Sequence, residues 1–370
     1  MGELISNCRV CKSNNLKDVF DLGCQPPANS LRESLVEKLN EYPLKLVFCD
    51  NCKLVQLNYS VDPKNLFDKY FWVTATSKTA KDYSSFFFNE MIRRSEIDKK
   101  FVLEIASNDG TFLLPFKRNN SKVLGIDPAK NIAFEANRNG IKTLCDYFDF
   151  NASNKIKTEE GVPSLIFARN VIPHVKEINS VVRGISNLSE HNTTVAIEFH
   201  YSKIILEELH YDSIYHEHLF YFTIKTINFL FNKFGLYSFD LFESPISGGS
   251  IVLLFSKQNK KKSNKLIEYE KYEKNFDLNN YETWLKFSEK SYNHSLELKK
   301  VITKLSNNKK IVGYGASARS STLLNFINIS NKNIEFIIDQ NPLKNNLYTP
   351  GSNILIKSTK EGLVDLKDKS

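Results

Sequence analysis

The heptapeptide Asp212-Ser213-Ile214-Tyr215-His216-Glu217-His218 gathers two acids, a tyrosine and two histidines. The chain has 7 histidines in 370 residues, so two of them one residue apart are unusual use of a scarce side chain. Imidazole titrates closest to neutrality and is the default general base. A tyrosine hydroxyl can donate a hydrogen bond to an oxygen on which charge develops. Glu217 or Asp212 could fix a histidine tautomer. The same residue types also suit a metal site, or a surface loop with incidental histidines. The heptapeptide alone leaves these readings open, and the elements around it must decide.

Those elements read as parallel α/β structure. Phe101-Val102-Leu103-Glu104-Ile105 is an apolar run with one acid. Ala106-Ser107-Asn108-Asp109-Gly110 follows, then the helix start Thr111-Phe112-Leu113-Leu114. This is strand, tight turn, helix. Val123-Leu124-Gly125-Ile126 makes a second strand ending in Asp127, an acid suited to ribose hydroxyls. The glycine fingerprint of dinucleotide sites is absent, since Ala106 and Asn108 stand where glycines are expected. With no pyrophosphate to cradle, S-adenosylmethionine fits this turn better than NAD. Further strands are expected over 141–144, before Cys145-Asp146-Tyr147-Phe148, then at Leu165 onward, and over 194–199. Ligands of open α/β sheets sit at the carboxyl ends of strands. Glu104, Asp127, Asn170, His174 and Glu198 all fall near such ends. The heptapeptide follows directly and should lie over the same edge. Ser247-Gly248-Gly249-Ser250 then turns into a late strand over 251–255.

Upstream, Cys8-Arg9-Val10-Cys11 and Cys49-Asp50-Asn51-Cys52 are two C-x-x-C knuckles. Four thiolates suit tetrahedral zinc with no open position, which is a structural site. Disulfides are disfavoured by the lack of a secretory signal, and a redox motif needs one copy, not two. The chain between the knuckles exceeds zinc-ribbon spacing and must form its own elements. Leu44 to Phe48 and Leu54 to Leu57 read as half-buried strands rather than a basic reading surface. Cys24 and Cys145 remain outside the scheme and read as buried thiols. Tyr70-Phe71-Trp72-Val73-Thr74 is aromatic enough to line a sugar or base pocket.

The C-terminal part opens with a lysine-rich linker over 257–264. Residues 265–306 lack Pro and Gly and read as one or two long helices. Lys310-Ile311-Val312-Gly313-Tyr314-Gly315-Ala316 begins a second strand-turn-helix unit, closed by a strand ending at Asp339. It raises an alternative, an NAD-dependent oxidoreductase of a nucleotide sugar. That turn has no catalytic Tyr-Lys pair or Cys beside it. The polar residues 357–370 read as partly disordered.

Composition fits an ordinary globular chain: 41% hydrophobic and 25% charged. No apolar run reaches a membrane span, and the N-terminus lacks signal-peptide features, so a cytoplasmic protein without membrane partners is expected. The net charge of +8 suits an anionic ligand such as a nucleotide, but lysine is abundant throughout. No basic stripe with interleaved aromatics points to nucleic acid. A zinc-ribbon regulator would keep the knuckles but have no use for Tyr215 to His218.

Taken in order, these pieces resemble the nucleotide-sugar C-methyltransferases. They are the two knuckles, Leu103-Glu104-Ile105-Ala106-Ser107-Asn108-Asp109-Gly110, Asn170 with His174, Ile214-Tyr215-His216-Glu217-His218, Gly248-Gly249-Ser250, Gly313-Tyr314-Gly315-Ala316, Asn341-Pro342-Leu343-Lys344 and Pro350-Gly351. The resemblance implies an α/β chain with a zinc-binding domain over 1–75 and an S-adenosylmethionine-dependent methyltransferase domain, Rossmann-like, over 76–256. A helical linker and a Rossmann-like domain would occupy 257–370, either truncated or reduced relative to the family's last strand and helices. It implies a keto-deoxysugar on a nucleoside diphosphate as substrate, and a monomer is expected. His218 would be the base of enolate formation. Tyr215 and His174 would hydrogen-bond the keto oxygen, and Glu217 would support the histidine. Glu104, Ala106, Asn108, Asp109, Gly110, Asp127, Phe148 and Asn170 would hold the cofactor, with Asp109 and Phe148 flanking its sulfonium and adenine. Tyr70, Trp72, His216, Gly249, Tyr314 and Arg319 would contact the sugar nucleotide. Ser317, Arg319 and Ser320 depart from the family's Pro, Lys and Gly in the last glycine turn. Trp72 stands where Tyr is usual.

Overall fold

The computed structural model describes residues 2–62, 66, 74, 78–95, 100–245 and 248–367. Strands β1 (Glu3–Leu4), β2 (Leu16–Gln25), β3 (Tyr42–Cys49), β4 (Val55–Leu57) and β5 (Tyr59–Ser60) come first. Helix α1 (Lys78–Arg94) leads into β6 (Val102–Ile105), α2 (Leu114–Arg118), β7 (Val123–Ile126), α3 (Lys130–Arg138) and β8 (Thr143–Leu144). Then follow α4 (Phe150–Glu159), β9 (Leu165–Arg169), α5 (Ile178–Leu188), β10 (Thr194–His200) and α6 (Ser202–Glu207). The chain continues through β11 (Phe220–Tyr221), α7 (Ile224–Asn232), β12 (Tyr237–Glu243) and β13 (Ser250–Ser256). It closes with α8 (Asn264–Asn275), α9 (Tyr281–Ser306), β14 (Val312–Tyr314), α10 (Ala318–Phe326), β15 (Phe336–Asp339), β16 (Leu355–Ser358) and α11 (Thr359–Lys367).

The central sheet has seven strands in the order β12-β13-β10-β9-β6-β7-β8. Strands β6 to β10 run parallel, and β13 pairs antiparallel with both β10 and β12. Continuous apolar runs are what a sheet covered on both faces demands, and every residue of β6 and of β13 is buried. The covering helices carry matching stripes. On α5 the stripe is Ile178, Val181, Val182, Ile185 and Leu188, spaced for one helical face. On the other face, Tyr83, Phe87 and Met91 of α1 pack against Phe112, Phe167 and Val252. The chain order reverses between β6 and β9, so the crevice at their carboxyl ends is the expected ligand site.

The N-terminal strands form an antiparallel sheet, β11-β4-β3-β2, whose edge strand β11 is contributed from far downstream. Strand β4 is fully buried rather than half-buried, because β11 covers the edge that sequence alone leaves open. One apolar core runs from Phe20, Phe48 and Leu57 through Ile166 and Ile197 to Trp284. The C-terminal part has its own small core around Ile337, Ile354 and Ile356 beneath a parallel sheet, β14-β15-β16. Residues 355–367 form a strand and a helix where polar composition alone suggests disorder. No helix among the described residues is long and apolar enough to cross a membrane.

Candidate active site

Four cysteines meet at one point beside the N-terminal sheet. Their sulfurs all lie within 4.8 Å of one another. The closest contacts cross between the knuckles, 3.6 Å for Cys8 with Cys52 and 3.4 Å for Cys11 with Cys49. These are far beyond an S–S bond of about 2.05 Å. They approach the roughly 3.7 Å that four thiolates about 2.3 Å from one zinc ion must keep. The knuckles share one backbone geometry. The amides of Lys12 and Lys53 donate to the carbonyls of Cys8 and Cys49, and both lysines adopt positive φ, 64° and 65°. Donor set and geometry thus fit structural zinc. Cys24 and Cys145 are exposed rather than buried. Cys24 lies where β2 slips register against β3, and Cys145 lies on the loop after β8.

At the crevice, the turn after β6 keeps left-handed backbone without the glycines that normally supply it. Ala106 has φ 55°, Asn108 49° and Gly110 78°. An alanine there costs about 1–2 kcal/mol, and such strain persists only where the surroundings enforce it. Asp127 enforces it here. Its Oδ2 accepts from the Asn108 amide and its Oδ1 from the Ala129 amide, both at 2.9 Å. Burial nevertheless raises its pKa against those two donors. Asp109 caps the following turn through Thr111, whose amide and hydroxyl both donate to Oδ1. Glu104 is buried with Oε2 unpartnered among the described residues, and burial holds its pKa well above the carboxylate range. Asn170 is also left-handed, φ 49°, with its side chain on Glu198. Sequence reasoning missed Arg169. It lies 3.1 Å from Glu198 and 3.9 Å from Glu104, a single positive charge between two buried acids at the sheet edge. A cavity of about 120 Å³ lined by Ile126, Leu144, Cys145, Asp146, Ala152 and Lys155 opens beside Asp127. Phe148 packs into the core next to Gly184, not into that cavity. The unpartnered carboxylate oxygen, the strained turn and the cavity fit a nucleoside-bearing cofactor with an amino-acid tail.

The heptapeptide does lie over this edge. His218 is fully positioned by main chain. Leu219 donates its amide to Pro173 (2.8 Å) and accepts from the amide of Leu57 in β4 (3.0 Å). His218 Nδ1 is 2.9 Å from the carbonyl of Ser213. A carbonyl only accepts, so Nδ1 carries the proton and Nε2 is the basic atom of the neutral ring. Nε2 faces the Tyr215 hydroxyl at 2.8 Å, which therefore donates. His174, on a 3-10 turn after β9, meets His218 edge to face with ring centroids 4.9 Å apart. Burial, then the neighbouring His174, holds the His218 imidazole well below its usual range. Burial lowers His174 to about 4.

Other assigned residues point elsewhere. The Glu217 carboxylate accepts from Asn29 Nδ2 at 2.6 Å, while the His218 Nδ1 proton goes to the Ser213 carbonyl and not to Glu217. Burial pushes Glu217 up to about 7. His216 is buried against the N-terminal sheet, with Nε2 on the Tyr42 carbonyl. Asp212 holds Arg319 in a fork, 2.9 and 2.8 Å, so that guanidinium is already engaged. Gly249 has φ 110° and abuts Ile204, so any side chain there would collide. Tyr314 is exposed and hydrogen-bonded to Gln340. Tyr70 and Trp72 lie outside the described residues. Asp339, the acid of the second glycine turn, is turned back onto the amides of Ala316 and Asn341.

Comparison with known proteins gives the same order of parts. A zinc binding domain model matches residues 8–67, a methyltransferase domain model 80–239, and a C-methyltransferase C-terminal domain model 245–367. The chain is 27% identical to C-methyltransferase NovU of Streptomyces niveus, over 98% of this chain and 88% of that one. Among solved structures, magnesium protoporphyrin IX methyltransferase of Synechocystis with bound S-adenosylmethionine matches with TM-score 0.38 and 9% identity, over 49% of this chain and 80% of that one. An S-adenosylmethionine-dependent methyltransferase of Clostridium acetobutylicum matches with TM-score 0.39 and 13% identity, over 49% and 93%. The three family models follow one another along nearly the whole chain, a zinc-type cysteine cluster stands at its head, and the chain belongs to the S-adenosylmethionine-dependent C-methyltransferases that carry an N-terminal zinc-binding domain.

Proposed function

We propose that this enzyme methylates a carbon beside the ketone of a keto-deoxysugar carried on a nucleoside diphosphate, with His218 as the base. One observation carries the reading: the His218 ring is pinned through Nδ1 to the Ser213 carbonyl, leaving Nε2 basic and next to a tyrosine hydroxyl. A saturated carbon is no nucleophile until a proton beside a carbonyl is removed. His218 Nε2 takes that proton, and the electron pair moves onto the ketone oxygen. Tyr215 exchanges its hydrogen bond from Nε2 to that oxygen, and His174 donates a second. Base and oxyanion donors of this kind contribute about 10²–10⁴-fold and 10²–10³-fold. Bound S-adenosylmethionine supplies an electrophilic methyl group. Glu104, Asp109, Asp127 and Asn170 would hold it, with the turn from Ala106 to Gly110 against its amino-acid end.

Asp127→Ala should weaken S-adenosylhomocysteine about 10–100-fold in calorimetric titration, since it removes a charged acceptor and frees the Asn108 amide. Unchanged affinity would remove Asp127 from the cofactor site. The pH profile has a defined sign. A depressed imidazole pKa keeps His218 in its basic form in mildly acidic solution. The kcat/KM profile should therefore stay level from about pH 8 down through the ordinary imidazole value of about 6.5 and fall only at lower pH. An acid limb near 7 that vanishes in Glu217→Gln would instead make Glu217, raised to about 7, the essential group. The direct test offers S-adenosylmethionine and a panel of nucleoside-diphosphate keto-deoxyhexoses, and reads the product by NMR. A new C–CH3 group is expected. An O-methyl product would overturn the mechanism.

A further inference from the structure

The atom that orients the base belongs to a short piece of chain with weak internal support. Ser213 ends a 3-10 turn, Tyr211–Ser213. Within that turn, the Ser213 amide donates to His210 and the Ile214 amide to Tyr211. Its side chains are gripped from outside: Phe20 of β2 meets Tyr211 edge-on with centroids 6.4 Å apart, and the hydrogen-bonding grips come from the C-terminal part of the chain. Tyr211 hydrogen-bonds His294 of α9 at 2.9 Å and meets Phe326 of α10 edge-on, with centroids 5.7 Å apart. Asp212 is held by Arg319, the second residue of α10, through two near-parallel bonds. Arg319 stands in the first turn of a helix capped by Ser317, whose side chain accepts from the Ser320 amide.

Resting on the assignment of His218 as base, we propose that Arg319 is a positioning residue. Its fork on Asp212 fixes the turn whose Ser213 carbonyl sets the tautomer and direction of the His218 ring. The C-terminal unit thus completes the catalytic geometry in the central domain without touching the reacting atoms. A planar guanidinium suits this better than an ammonium, because two parallel bonds fix direction as well as distance. The pair is partly exposed, side chains 36% and 24% accessible, so its loss should leave the fold intact. The same engagement leaves Arg319 a poor ligand for a substrate phosphate.

The test needs a readout that a merely structural role would not move. Histidine-ring nitrogen correlation spectra of the full chain report each tautomer, and the His218 signal is the one lost in His218→Gln. In the wild type that ring should carry its proton on Nδ1. In Arg319→Ala, and in the bulkier Arg319→Gln, the Nδ1-protonated signal should give way to the other tautomer or a mixture. Turnover with the keto-deoxyhexose panel should fall about 10–100-fold, as a displaced base predicts. S-adenosylhomocysteine affinity should stay within about twofold, placing the loss in kcat rather than in cofactor binding. If Arg319→Ala fails to bind S-adenosylhomocysteine, Arg319→Gln decides alone. An unchanged Nδ1 signal in a folded variant overturns the positioning role and leaves His218 as base untouched. Wild-type turnover in His218→Gln overturns the base itself, whatever the tautomer.

Discussion

His218→Gln should turn over about 10²–10⁴-fold more slowly than wild type, with S-adenosylhomocysteine affinity unchanged. Glutamine keeps the volume and can still donate to the Ser213 carbonyl, so the loop should hold. What it lacks is a basic ring nitrogen to take the proton from carbon. The proposed cofactor residues lie on the turns after β6, β7 and β9, whereas His218 lies on a separate loop, so binding and chemistry should separate. A substrate KM close to wild type with a collapsed kcat would locate the lost interaction in the transition state. Turnover within about threefold of wild type would mean that another group removes the proton. His174 would then be the first alternative, being the other imidazole at the site.

Zinc removal should have an effect of similar size, although the four knuckle cysteines lie beside the N-terminal sheet and not among the residues lining the cavity at the crevice. Strand β4 follows the second knuckle directly, and β11 pairs with β4 through Phe220 with Gln56 and Tyr221 with Val55. Leu219, between His218 and β11, accepts from Leu57 at the end of β4. The zinc site therefore anchors the strand against which His218 is registered. Structural zinc sites contribute about 10–16 kcal/mol of apparent binding energy, more than a small sheet can lose and stay folded. Cys52→Ser should abolish stoichiometric zinc, loosen the N-terminal sheet and reduce turnover to background. Metal analysis alongside turnover checks this. A zinc-free variant with wild-type activity would contradict the coupling between knuckle and base.

The parts of this arrangement that sequence reveals are those written in local pattern. Apolar runs located β6, β7, β9, β10 and β13, and the crevice followed from their carboxyl ends. The cysteine spacing announced the metal site. Tyr215 and His218 are three residues apart, and their hydrogen bond closes within one turn. What escaped depends on main chain or on distant partners. The tautomer of His218 is set by a carbonyl, which no residue type signals. Glu217 is captured by Asn29, and Asp212 by Arg319, across 188 and 107 positions. The left-handed backbone at Ala106 and Asn108 was hidden because neither is glycine, although the missing glycines mark the very positions. Arg169 was visible at the end of an apolar strand, and two buried acids on neighbouring strands are the signal that could have given it a role.

Solvent exchange tests proton abstraction from carbon by His218 most directly. The full-length protein is incubated in deuterium oxide with S-adenosylhomocysteine and each nucleoside-diphosphate keto-deoxyhexose, so that no methyl transfer can follow. Mass spectrometry should find one deuterium incorporated beside the ketone of the true substrate with wild type, and none above background with His218→Gln. Equal exchange by both proteins, or methylated product from wild type with no detectable exchange from any sugar, would contradict the assignment of His218 as the base.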